Sequence, residues 1–335
     1  MITTIADLDI YLLYYLDIQS IMRFSTISKN QFALISNVKF VQNLSALKCK
    51  INIIDDAAKN NYISLLQWMS DSTNNFSYTE LAIDKASAKG HIDVLNWFDK
   101  SPYEFKYTAQ AINSAVKNNH IIILDWFDKS PYEFKYTSFA ITTAAKYNRI
   151  NVLEWFDKSN YEFKYTSATI DIAAKYNRID VLEWFDKSKY NFIYTGPKLQ
   201  ASLNGHTDVL DWFSKSKYEF VFGSHVVDLA SRNGHVNVLQ WFSSAPYKFK
   251  YTSAAVDKAA ENGHLHVLEW FNDAPHEFKY SSYAVDYAAK NAHLHILEWF
   301  NNSAHEFKYT QNAIDYATKN NHQHILQWFN QNILI

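Results

Sequence analysis

Two recurring side chains in this chain could do chemistry. His91, His120, His206, His235, His264, His293 and His322 each lie six residues ahead of a tryptophan. A second histidine follows two residues later at His266, His295 and His324. A row of imidazoles invites a metal reading, but zinc wants convergent ligands in tetrahedral geometry. Residues at i and i+2 on a helix point to different faces, and the one cysteine, Cys49, recurs beside none of them. The expectation is a polar turn residue that hydrogen-bonds neighbouring backbone, with no metal. Asp55, Asp84, Asp171, Asp228, Asp257, Asp286 and Asp315 lie thirteen residues ahead of their tryptophans. Acid–base catalysis needs two carboxylates whose environments push their pKa values apart. Seven acids in equivalent places argue for early-helix residues that complement a helix dipole. No P-loop, nucleophile elbow, zincin or dinucleotide fingerprint occurs. The chain reads as no enzyme, with no cofactor.

What positions these residues is a repeat. All ten tryptophans, from Trp68 to Trp328, are spaced by 29 residues except Trp184 and Trp212, which are 28 apart. A fixed period of this size marks a stacked-repeat architecture. In the unit around Trp155, Ile141, Ala144 and Ala145 follow helical spacing, and Thr137 or Ser138 is a natural N-cap. Ile150, Val152, Leu153, Trp155 and Phe156 form a second apolar stripe. Between the two, seven residues before each tryptophan, stands Gly at 90, 205, 234 and 263, Asn at 61, 119, 148, 177 and 321, and Ala at 292. Gly and Asn tolerate the left-handed conformation that closes a helix. Helix pairs are joined by segments such as Tyr161-Glu162-Phe163-Lys164-Tyr165, whose alternation reads as extended backbone with one apolar face. Stacked copies would form an aromatic ladder, a packing element in preference to a nucleotide platform.

One column varies. Twelve residues before each tryptophan come Asp56, Lys85, Ser114, Thr143, Ile172, Gln200, Leu229, Lys258, Tyr287 and Tyr316. The spread from Lys to Leu to Tyr makes Lys85, Ile172, Leu229, Lys258, Tyr287 and Tyr316 the candidate partner-binding stripe, since tyrosine is enriched at interfaces. Bulk properties agree with a protein partner. The 335 residues carry 32 basic and 34 acidic side chains, so neither a nucleic-acid nor a membrane footprint is expected. The start, Met1 to Asp7, lacks the basic region of a secretory leader, so none is expected, and a lone cysteine predicts no disulfide within the chain. An intracellular, cytoplasmic monomer is expected.

Ala259-Ala260-Glu261-Asn262-Gly263-His264-Leu265-His266-Val267-Leu268 resembles the centre of an ankyrin repeat. Ala230-Ser231-Arg232-Asn233-Gly234-His235 and Gly90-His91-Ile92-Asp93-Val94-Leu95 do so as well. The period is 29 where that family's is about 33, and the family's opening Thr-Pro-Leu-His is replaced by stretches such as Tyr283-Ala284-Val285-Asp286. The resemblance implies an all-α, ankyrin-like solenoid of about ten helix-turn-helix repeats over residues 50–335.

Residues 1–49 do not repeat and read as a small helical N-terminal module. Thr4 to Ile21, with Leu8, Leu12, Leu13 and Leu16 in register, resembles an F-box, departing from it at Thr4, Ile5, Asp9, Ser28 and Gln31. That resemblance implies binding to the linker subunit of a cullin ubiquitin ligase through Ile5, Leu8, Leu12, Leu13, Leu16 and Ile21. The alternative is a segment that only caps the solenoid. An F-box ahead of ankyrin repeats is similar to proteins of large DNA viruses of amoebae, which would place the chain in a host cytoplasm. The expected function is a protein–protein interaction scaffold, either a substrate-recruiting ligase adaptor or a plain ankyrin-type binding protein.

Overall fold

The computed structural model describes residues 53–72, 76–218, 222–246 and 248–333. Twenty helices and no strand are present among the described residues. They alternate as a leading and a trailing helix in each repeat, from Ile53–Lys59 with Ile63–Ser72 to Gln311–Lys319 with Gln323–Asn332. The chain divides into two compact units, Met1–Lys164 and Tyr165–Ile335, and within each the helices pack on their sequential neighbours as a helical repeat solenoid. The N-terminal module, and with it Ile5, Leu8, Leu12, Leu13, Leu16 and Ile21, lies outside the described residues.

The helices are short, seven to ten residues, below the length at which an isolated helix holds in water. Burial against neighbours must therefore hold them. Each leading helix buries an alanine completely, and in five of the ten a second alanine follows it, as at Ala144 and Ala145 or Ala259 and Ala260. Small side chains at these places let successive leading helices approach closely. In the trailing helices from Ile92–Lys100 to Leu294–Asn302 the fully buried residues are an aliphatic pair and a phenylalanine, as at Val152, Leu153 and Phe156.

The turn between the helices follows the sequence expectation at all ten positions. Each residue seven ahead of a tryptophan has φ between 55° and 78°, and Ala292 takes this left-handed conformation in spite of its Cβ. At Gly90, Gly205, Gly234 and Gly263 a second constraint operates. A Cβ there would come within 2.9–3.1 Å of the Nδ1 of the next repeat's histidine, so the imidazole rests on the bare glycine.

The segment between helix pairs is extended, but it pairs with no strand. The 28-residue unit loses its residue from the leading helix, Pro197–Leu203, which is seven long and starts on the proline. A proline in the first turn costs no hydrogen bond, because that N–H is unpaired in any helix.

Candidate functional site

The recurring polar residues are consumed by bonds between neighbouring repeats. The aspartate column is the clearest case. The Thr108 backbone N–H and hydroxyl both donate to Asp84, at 2.9 and 2.6 Å. Asp55 holds Thr79 in the same way, Asp257 holds Ser281, and Asp286 holds Thr310 at 2.8 and 2.6 Å. The clasped hydroxyl in turn accepts a backbone N–H at the start of its own helix, as from Gln110 to Thr108. Six of the seven aspartates thus hold the residue that leads into the next repeat's helix, while Asp315, in the last repeat, accepts from Gln311 of its own helix. Asp55, Asp84, Asp257 and Asp286 also lie in the first turn of their own helices, as expected, so the clasp is a second role that the sequence did not show.

Burial raises the carboxyls of Asp84, Asp228 and Asp257 above the ordinary aspartate value, against the opposing pull of the bonds they accept. With both oxygens occupied, none is placed as a free base. At Asn113 the column lacks its acid, and that Oδ1 is buried with no hydrogen-bond partner.

The histidines act backwards along the chain. Nε2 of His206 donates to the carbonyl of Lys175 at 2.9 Å, His235 to Leu203 at 3.0 Å, and His322 to Lys290 at 3.0 Å. His266 and His295 reach the carbonyls of Gly234 and Gly263. Burial holds His91, His206, His264 and His293 below the ordinary imidazole value of 6.5. Each donates one ring nitrogen to backbone, as the turn reading expects. Among the described residues no three His, Cys, Asp or Glu side chains come together as a metal site.

The aromatic ladder is real and is fully engaged. Phe105 stacks on Tyr132 at 4.1 Å between ring centres and on Trp126 at 5.4 Å. Phe192 does the same with Tyr218 and Trp212, and Phe278 with His305. The indole N–H groups donate to the preceding repeat: Trp97 to Gln67, Trp126 to Asn96, Trp155 to Asp125 and Trp241 to Asp211, at 2.6–3.0 Å. In several loops the last phenol donates to a carbonyl in the next, Tyr107 to Glu133, Tyr136 to Glu162 and Tyr280 to Glu306, whereas those of Tyr78 and Tyr251 are buried with no hydrogen-bond partner. Burial pushes Tyr78, Tyr107 and Tyr161 up to about 12. The tryptophans themselves are half-buried from Trp97 to Trp299. The fully buried ring is the phenylalanine that follows each one, from Phe98 to Phe329.

The variable column lies apart from this network. Lys85, Ile172, Leu229, Lys258, Tyr287 and Tyr316 are all half-buried, on the face of the leading helices that their alanines do not use. The column converges at one place, in the repeats of Trp270 to Trp328. Tyr287 and Tyr316 meet at 5.8 Å, and the Lys258 ammonium stands 5.4 Å over Tyr287. Two further residues complete the cluster. Tyr283, 57% exposed, contacts Tyr287 at 5.6 Å, and Lys290 lies over both Tyr287 and Tyr316. They sit four before and three after Tyr287, the spacing that shares a helix face. That signal was available in the sequence but a single-column reading passes over it. Phe139, 59% exposed, and Leu81, 48% exposed, stand in the same helix position as Tyr283.

No family model matches this chain, and no curated protein matches it. No helix among the described residues is long and apolar enough to cross a membrane.

Proposed function

We propose that the protein is a non-enzymatic scaffold that binds other proteins through the variable face of its leading helices. One observation carries this reading. The recurring aspartate, histidine, tryptophan and loop-aromatic columns are spent largely on a neighbouring repeat, whereas Lys85, Ile172, Leu229, Lys258, Tyr287 and Tyr316 of the varying column are half-exposed and serve no repeat-to-repeat bond that recurs. A stacked array with one such face offers an extended surface, the usual employment of solenoids. The stretch Gly263-His264 with its flanking alanines, and its glycine–histidine contact, support an ankyrin-like reading of the repeat. The register of Leu8, Leu12, Leu13 and Leu16 supports the further proposal that residues 1–49 recruit the linker subunit of a cullin ligase, so that the array selects a substrate.

The test uses the full chain and two variants. One replaces Lys85, Ile172, Leu229, Lys258, Tyr287 and Tyr316 with serine, the residue already present at Ser114. The other carries Leu12→Asp and Leu16→Asp. The scaffold reading expects the first variant to lose cross-linked protein partners while its helical circular dichroism is kept. Retention of every partner would overturn it. The adaptor reading expects the wild-type chain to bind the purified linker subunit and the second variant not to. No binding by the intact chain sinks the adaptor and leaves the plain scaffold.

A further inference from the structure

Three tyrosines form a continuous run across two repeats, Tyr283 to Tyr287 at 5.6 Å and Tyr287 to Tyr316 at 5.8 Å. Beside them is a hollow of about 280 Å³ lined by Ser253, Ala254, Lys258, Glu261, Tyr283 and Tyr287, with Asp257 at its base. This exceeds the roughly 150 Å³ that accommodates a benzene and falls below the ~300–1,000 Å³ of sites for drug-sized ligands. It is the right scale for one large side chain.

The polar groups around the hollow are unevenly spent. Lys258 pairs with Glu261. Lys290 has no carboxylate partner among the described residues. Its ammonium lies 4.8 Å from the Tyr287 ring centre and 5.3 Å from that of Tyr316. The phenols of Tyr283, Tyr287 and Tyr316 make no hydrogen bond among the described residues. The loop lysines behave differently: Lys279 pairs with Glu277 and Lys308 with Glu306 while each also covers a tyrosine. A cation over two ring faces, with free phenols beside it and no counter-charge, is complementary to an anion. The side of the hollow formed by Tyr283, Tyr287 and Ala254 is complementary to an apolar side chain, and its polar side, Ser253, Asp257, Lys258 and Glu261, has its lysine paired with Glu261 and Asp257 held by Ser281.

We propose that this cluster is the docking site for an acidic segment of a partner protein. An apolar side chain enters the hollow against Tyr283 and Tyr287. A neighbouring carboxylate pairs with Lys290 and accepts hydrogen bonds from the phenols of Tyr287 and Tyr316. The stripe continues to Leu229 on the preceding leading helix, giving the rest of the segment an apolar path along the stack. This inference rests on the scaffold reading and narrows it to one site and one class of partner.

Isothermal titration of the full chain tests it with an acetylated and amidated pentapeptide, a leucine flanked on each side by two glutamates. Saturable binding is expected, weakened about tenfold by Lys290→Glu and by Tyr287→Ser, the effect of losing one charge-assisted bond. A lysine-flanked counterpart should not bind. Equal binding of the two peptides, or binding unchanged by Lys290→Glu, overturns the proposal. So does displacement of the peptide by inorganic phosphate at equal concentration, which would reduce the site to a simple anion contact. Circular dichroism of each variant excludes unfolding as the cause of lost binding. If no peptide binds but the stripe variant still loses its protein partners, the acidic-segment inference falls and the scaffold stands. If the stripe variant keeps its partners, the scaffold itself falls.

Discussion

Tyrosines occur in two settings in this molecule, and the two are used in opposite ways. In the loops, the ring of Tyr132 stacks on neighbouring aromatics, those of Tyr107 and Tyr136 meet theirs edge-on or tilted, and the three hydroxyls are bound, to Asp99, Glu133 and Glu162. On the leading helices, Tyr283, Tyr287 and Tyr316 also touch one another, yet their hydroxyls are left to solvent. The same residue is a mortise in one place and an open surface in the other. The difference is periodicity. A loop tyrosine faces a near copy of its own environment 29 residues on, so its ring contacts recur, and its hydroxyl bond recurs at Tyr107, Tyr136, Tyr165 and Tyr280 though not at Tyr78 or Tyr251. A helix tyrosine faces a Lys, a Leu or a Ser in the other repeats, and no shared bond can form.

The largest separation between the two settings is expected at the ring that closes each core. Phe271 is fully buried, and Phe271→Ala should cost about 3–5 kcal/mol in chemical denaturation. The clasp comes next. Asp286 is 1% exposed and holds two donors. Asp286→Ala should cost about 1–3 kcal/mol, and Asp286→Asn less, because the amide oxygen keeps one of the two bonds.

Acidification should act on the network and spare the stripe. Burial lowers His264, His276, His293 and His305 below 6.5, so the unfolded chain takes up protons first as pH falls. Stability is then full above 6.5 and declines below it. The raised carboxyls of Asp228 and Asp257 act in the other sense at lower pH, since the folded state there binds protons more tightly. Hydrogen exchange, corrected for its intrinsic pH dependence, should show the repeats from His264 to His322 opening faster at pH 5 than at pH 7. The smallest effect belongs to Tyr316→Ser, expected to change stability by about 1 kcal/mol or less, the scale of an aromatic pair beyond its burial.

Much of this was legible in the sequence, and unevenly so. The turn positions could be read because left-handed backbone restricts residue type, and Gly, Asn and one Ala mark all ten places. The helix pairs followed from the spacing of Ile141, Ala144, Val152 and Leu153. The aspartates were legible as a column but only in part of their role. A period shows that a side chain recurs and does not show which neighbour it faces, so the first-turn place of Asp84 was legible and its clasp on Thr108 was not. For the same reason the tryptophans drew attention ahead of the more deeply buried phenylalanines beside them. The candidate site was half legible. Lys258, Tyr287 and Tyr316 share the variable column, whereas Tyr283 and Lys290 join them only through helix spacing.

One comparison of denaturation midpoints bears most directly on this division of labour. The first variant carries Asp228→Ala, Asp257→Ala and Asp286→Ala; the second carries Tyr283→Ser, Tyr287→Ser and Tyr316→Ser on the last of the same leading helices and the following one. The clasp variant is expected to lose several kcal/mol, and the tyrosine variant a small fraction of that, with its helical signal unchanged. A tyrosine variant as destabilised as the clasp variant would contradict the account, because those rings would then be holding the repeats together instead of facing a partner.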